Sequence, residues 1–298
     1  MIDWYETLDK TLQTTIISAI ISAITSIIIL LITWITGIFK EQYSLNYKLK
    51  KEYEFEQRKK LKDEISKTKI PLLNSIEELN YRIYNLNTNL HLGWQNVAKE
   101  DWFRNEQYFV NSSIYRLLEF WYWIIKTEKD TISIDSTIAD NDDILYLTYI
   151  KTFKNVFTDV DILKDLGYSP AYDTNHFFKN DLETYGSWLI ENNEIIGFEK
   201  FKGKLGSDYD KYKKVIEYFT NIQNDDTDKN LNVLRSFQLI AISFLNKYGH
   251  GYQKTDSEKL RQLTESYKQQ LKVKVAFKNF IVKNKLNKEM TKILRAIK

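Results

Sequence analysis

Residues 11–39 form a run of 29 positions without a charge, dominated by isoleucine. At about 1.5 Å of rise per residue, a helix over that run is roughly 43 Å long, more than a hydrocarbon core of about 30 Å requires. A single transmembrane helix is therefore expected. Over residues 40–69 no proline or glycine interrupts the helix formers, and Leu45, Leu49, Tyr53, Leu61 and Ile65 recur at intervals near four or its multiples, which predicts a stalk continuing the span. Gln57 and Arg58 break the row, so coiled-coil pairing and packing on the rest of the chain are both open. Pro71 disfavours helical geometry at Ile70 and predicts a kink or boundary there. Leu72, Leu73, Ile76, Leu79, Ile83 and Leu86 then mark a core-facing helix over 71–92.

A second helix, with Asn111, Ser112 and Ser113 as candidate caps, runs through Ile114, Leu117, Leu118, Trp121, Ile124 and Ile125. A third starts in the acidic cluster 140–143, where carboxylates favour a helix start, and carries Leu145, Ile150, Phe153 and Phe157. Further helices are expected over 178–190, 208–223, 229–247 and 257–282. Ile132, Ile134 and Ile138 alternate imperfectly and suggest a strand over 131–138. The apolar run 237–245 lies between Arg235 and Lys247 and is too short to cross a bilayer, so it reads as a buried core helix. The fold class is mainly α: a transmembrane helix continuing into a stalk, then a cytoplasmic multi-helix bundle. The division is 1–39 for the N-terminal segment and span, 40–70 for the stalk, 71–271 for the helical domain and 272–298 for a basic tail.

Charge fixes the orientation. Asp9 and Lys10 precede the span and Lys40 and Glu41 follow it, with Trp4, Tyr5 and Trp34 suited to the interfacial belts. A cleavable signal fits poorly, because Asp3, Glu6 and Asp9 oppose Lys10 alone at the start and the apolar run is too long. Lys40, Lys48, Lys50, Lys51, Arg58, Lys59, Lys60 and Lys62 all follow the span, so the C-terminal body is expected in the cytoplasm. The chain holds no cysteine, which agrees with a reducing compartment. The net charge of +3 hides a segregation: residues 40–69 carry +4, residues 272–298 carry +8, and residues 70–271 carry −7.

Catalytic signatures are sparse. Without cysteine there is no thiol nucleophile or thiolate metal site. His91, His176 and His250 are isolated, and the glycines form no phosphate-cradling loop. None of the seven arginines is followed four to six residues later by histidine, as a small helical ribonuclease of that type requires. The carboxylates Glu77 with Glu78, Asp142 with Asp143, and Asp225, Asp226 and Asp228 read as caps and solvated faces rather than metal ligands. No metal or cofactor is expected. Trp94, Trp102, Trp121, Tyr122 and Trp123 make an aromatic-rich segment, read as core. A nucleotide-like ligand would be sought first at Arg104, Tyr115, Arg116 and Trp123.

Two features stand above background. In the span, Ser18, Ala19, Ser22, Ala23, Ser26 and Thr33 place small and hydroxylated residues where another helix can approach, which predicts homo-oligomerisation; back-bonding of the hydroxyls to their own helix is the alternative. In the tail, Lys272, Lys274, Lys278, Lys283, Lys285, Lys288, Lys292, Arg295 and Lys298 interleave with Phe277, Phe280, Ile281, Leu286, Met290, Ile293 and Ile297. Anionic lipid, nucleic acid, and docking on the acidic body compete for that basic amphipathic pattern.

The segments 77–85 (Glu-Glu-Leu-Asn-Tyr-Arg-Ile-Tyr-Asn) and 111–121 (Asn-Ser-Ser-Ile-Tyr-Arg-Leu-Leu-Glu-Phe-Trp), with Phe244, Leu245 and Asn246, resemble blocks of an uncharacterised bacterial group that has a short N-terminal anchor before a helical cytoplasmic domain. The resemblance implies a fold and a topology and brings no active residues. Membrane-anchored helical proteins of this size often act in antiphage defence or abortive infection, so it implies a sensor, scaffold or effector with a protein or nucleotide-signal partner. The rival expectation is a membrane-tethered nuclease or nucleotide-acting enzyme without a recognisable motif.

Overall fold

In the computed structural model the described residues are 9–97, 107–171, 173 and 175–298, and the chain divides into two compact units, Met1–Lys59 and Lys60–Lys298. Helix α1, Lys10–Asn89, runs through both. In the first unit its large apolar side chains are exposed: Ile21 is 58% exposed, Leu30 69% and Phe39 69%. Leu45, Leu49 and Tyr53 are exposed too, and Leu61 is the first fully buried apolar residue of the helix. Trp4 and Tyr5 lie outside the described residues.

The boundary expected at Pro71 does not appear, because α1 continues through it. A mid-helix proline costs about 3 kcal/mol through its missing N–H and its ring. Leu72, Leu73, Ile76 and Leu79 follow it at 0–1% exposure, and each buried aliphatic side chain returns about 1.5–3 kcal/mol. Packing outweighs the local penalty. The helix stops instead at Leu90–Leu92, a 3₁₀ turn closed by Gly93 at φ +68°, a left-handed conformation that suits glycine.

The second unit is built of short helices: α2 (Tyr108–Ile132), α3 (Asn141–Val156), α4 (Lys179–Ser187), α5 (Phe198–Ser207), α6 (Tyr209–Thr220), α7 (Lys229–Tyr248), α8 (Ser257–Gln270), α9 (Lys274–Lys283) and α10 (Thr291–Ala296). Helix α2 packs against α3, α4, α5 and α6, and α7 packs against α3. Every residue of α7 from Asn230 to Leu245 is buried, which agrees with a core helix there. Phe120, Phe153, Phe157, Phe237 and Phe244 pack edge-on or tilted around it, with the Phe120 and Phe237 centroids 5.0 Å apart.

Several local expectations are corrected. Asn111, Ser112 and Ser113 do not cap α2; they are buried inside it, and the serine hydroxyls bond back to Tyr108 and Phe109 carbonyls. The strand expected over 131–138 is the end of α2 and a 3₁₀ turn at Ser136–Ile138, because among the described residues no strand pairs with it and Thr131 Oγ1 bonds back to the Thr127 carbonyl at 2.8 Å. The helix expected over 257–282 breaks at Leu271 and Val273, both at 0% exposure, so burying these two side chains redirects the chain. Asp140 does open α3: its Oδ1 accepts from Asp142 N at 3.0 Å and Asp143 N at 2.9 Å. Among the described residues the only strands are β1 (Ile190–Glu191) and β2 (Glu194–Ile195), joined through Asn192 and Asn193, both at positive φ.

Candidate functional site

A cleft of about 510 Å³ opens beside α4, α6 and the start of α7, where the chain before α4 folds back. The turn is held by its own polar groups. Asp173 Oδ2 accepts from Ser169 N at 2.8 Å, and its Oδ1 pairs with Lys229 Nζ at 2.5 Å. Tyr168 donates its hydroxyl to the Asp173 carbonyl at 3.1 Å and stands 2.5 Å from His176 Nδ1. Asn175 Nδ2 donates to Asn230 Oδ1 at 2.8 Å, and Asn230 Nδ2 donates to the Tyr218 carbonyl at 2.9 Å. These bonds fix the backbone around the cleft and use up the groups that make them.

Tyr218, His176 and Lys214 also line this cleft. The Tyr218 side chain is 3% exposed, and its hydroxyl has no hydrogen-bond partner among the described residues. Burial pushes that phenol far above its ordinary range, so it remains a neutral donor and acceptor. Burial lowers the His176 imidazole, helped by the charge of Lys214, and lowers the Lys214 ammonium, whose Nζ stands 5.4 Å from the Phe177 ring centroid. The arrangement sets polar groups around a small cleft against the aromatic faces of Phe177 and Tyr185. No local pattern announces this cleft, since His176 and Lys214 are 38 positions apart and meet only through folding.

The residues singled out from sequence are only partly brought together. Tyr115 and Arg116 line a smaller cleft of about 270 Å³ with Glu78, Tyr108, Ser112, Glu119 and Phe198. There Arg116 is already engaged: Nε and Nη2 both donate to Glu78 Oε2, at 2.9 and 2.8 Å. Tyr115 donates to the Ile196 carbonyl at 3.0 Å, and burial pushes its phenol up to about 12. Burial, and next the Glu78 charge, raise the Glu119 carboxyl. Trp123 lies elsewhere on α2, half-buried against the core and 4.9 Å from the Tyr122 ring. Arg104 and Trp102 lie outside the described residues. Trp121 is fully buried, as a core residue should be.

In the apolar part of α1, Ser18, Ser26 and Thr33 donate to the Thr15, Ser22 and Ile29 carbonyls of their own helix at 2.8–2.9 Å. Ala19, Ser22 and Ala23 share the small-residue pattern. The tail is not a free amphipathic helix: Phe277, Phe280, Ile281, Leu286, Met290, Ile293 and Ile297 are 0–5% exposed, which removes the apolar stripe a membrane would take. Lys283 bridges Asp159 at 2.8 Å and Asp161 at 3.3 Å, while Lys272 and Lys274 donate to the Gln269 and Lys268 carbonyls. The acid clusters have structural partners as well: Asp226 pairs with Arg235 at 3.0 Å, and Asp228 caps α7. No protein-family model, curated protein or solved structure matches the chain.

Proposed function

We propose that the chain is a membrane-anchored sensor or scaffold: residues 11–39 cross the bacterial inner membrane once, and a helical body faces the cytoplasm, where its polar cleft takes a small ligand. The observation that carries this reading is the contrast in α1, whose isoleucines from Ile17 to Ile38 stay 41–58% exposed although the second unit has a complete core of its own. Among the described residues one helix is long and apolar enough to span a bilayer. Its hydroxyls at Thr25, Ser26, Thr33 and Thr36 all bond to carbonyls of the same helix, so they can enter hydrocarbon without an orphaned donor. Homo-oligomerisation would then rest on close approach at Ala19, Ser22 and Ala23 rather than on hydroxyl bonds between helices. A role in antiphage defence follows from the sequence resemblance alone.

Binding rather than catalysis is supported by the ion pairs of two arginines: Arg116 is held by Glu78, and Arg235 by Asp226, Asn87 and the Gln270 carbonyl. The orientation is tested by fusing a fluorescent protein or alkaline phosphatase after Lys298. Cytoplasmic placement yields a fluorescent fusion and an inactive phosphatase. An active phosphatase would overturn it.

A further inference from the structure

We infer that the outer faces of α9 and α10 form a docking surface for anionic phospholipid headgroups, an inference that rests on the anchored, cytoplasmic placement proposed above. The side chains of Lys278, Lys285, Lys288, Lys292, Arg295 and Lys298 are all exposed and make no ion pair or hydrogen bond among the described residues. The acids that answer this end of the chain are already committed. Asp159 and Asp161 hold Lys283, and Asp226 holds Arg235 with Lys272 3.8 Å away. Asp165 Oδ2 accepts the Val275 and Ala276 amides at the start of α9, at 3.0 and 2.9 Å. Glu289 is the lone acid in residues 272–298, against nine basic residues.

On α9 the cations do not stand alone. Val275, Lys278 and Val282 follow at spacings of three and four, which places them on one face, the two valines are 66% and 51% exposed, and Lys285 follows in the turn just past the helix end. Lys292 and Arg295 stand three apart on α10, and Lys288 lies in the turn that leads into it. A phosphodiester backbone gains nothing from valine between lysines, whereas the boundary between headgroups and acyl chains accepts both. Each basic group that reaches an anionic leaflet multiplies the docked population by about fivefold, and the attraction fades when salt shortens the screening length. The buried stripe of Phe277, Phe280 and Ile281 limits the contact to docking, without insertion of the helix.

The chain has no cysteine, so Val282→Cys gives the full-length protein one labelling position for an environment-sensitive dye. The labelled protein is placed in nanodiscs of phosphatidylcholine alone or with phosphatidylglycerol added, and quenching by neutral acrylamide is measured. Quenching should fall about twofold or more in the anionic discs, and raised salt or replacement of the six basic residues by glutamine should restore it, with an unchanged circular dichroism spectrum. Equal quenching in both discs, protection that survives in the glutamine variant, or protection produced only by added RNA would each overturn the docking surface. Failure to enter either disc would instead overturn the anchor and the docking surface together.

Discussion

Gly186 of α4 lies directly against the backbone of Tyr122 in α2, and a Cβ placed on it would stand 2.8 Å from the Tyr122 nitrogen. Helix α4 borders the polar cleft through Asp181 and Tyr185, so this backbone contact sets one wall of the candidate site. Gly186→Ala forces two backbones apart where no flexible side chain can yield. The variant should lose about 1–3 kcal/mol of stability in urea unfolding of the detergent-solubilised protein. Unchanged stability would show that α4 moves freely on α2.

Arg235 is a buried cation of the core, 2% exposed and bonded to Asn87 Oδ1 at 3.0 Å, Asp226 Oδ1 at 3.0 Å and the Gln270 carbonyl at 2.7 Å. It links α1, α7 and the end of α8. Arg235→Ala leaves these acceptors buried or half-buried without their donor and should cost about 3–5 kcal/mol, read from the same unfolding curve.

Tyr218→Phe should do the opposite. The variant removes a buried hydroxyl that lacks a partner, whose desolvation costs about 1–3 kcal/mol, and keeps the ring 4.9 Å from Phe177. Ligand-free protein should therefore unfold at a higher temperature as Tyr218→Phe. A lower midpoint would mean that the hydroxyl contributes to the fold rather than to a binding site.

Asp140 gives a pH dependence with a definite sign. The amides of Asp143 and Asp142, together with Lys62, lower its carboxyl from 3.8 to about 2. A carboxyl lowered on folding stabilises the fold above its unfolded value, and that contribution fades as pH falls toward the folded one. Hydrogen exchange at the Asp142 and Asp143 amides should accelerate between about pH 4 and pH 2, beyond its intrinsic pH dependence. Asp140→Asn, which keeps the cap without the charge, should flatten that response.

Legibility from sequence followed the scale of the interaction. The uncharged run, the apolar periodicity of α7 and the Asp140 cap are local signals, and the structure places a helix at each. Pro71 misled because its penalty is local and the burial that outweighs it comes from residues distant in sequence. Asn111, Ser112 and Ser113 misled for a related reason, since the same hydroxyls that cap a helix also bond back within one. The tail reads as an amphipathic helix until Leu271 and Val273 are seen to be buried. The hairpin at residues 190–195 did carry a signal, in the pair Asn192 and Asn193, because asparagine tolerates the positive φ of a tight hairpin turn. The polar cleft left no such mark, because its groups come from three segments that only the folded chain assembles.

The spanning of a bilayer by residues 11–39 is tested most directly by alkaline carbonate extraction of membranes from cells producing the full-length chain, with a double variant Ile24→Asp and Ile28→Asp beside it. Two carboxylates near the middle of the span, at about 2.5–3.5 kcal/mol each, oppose insertion. The account predicts that the unaltered chain stays in the pellet and the double variant shifts to the supernatant; an unaltered chain that washes into the supernatant would contradict it.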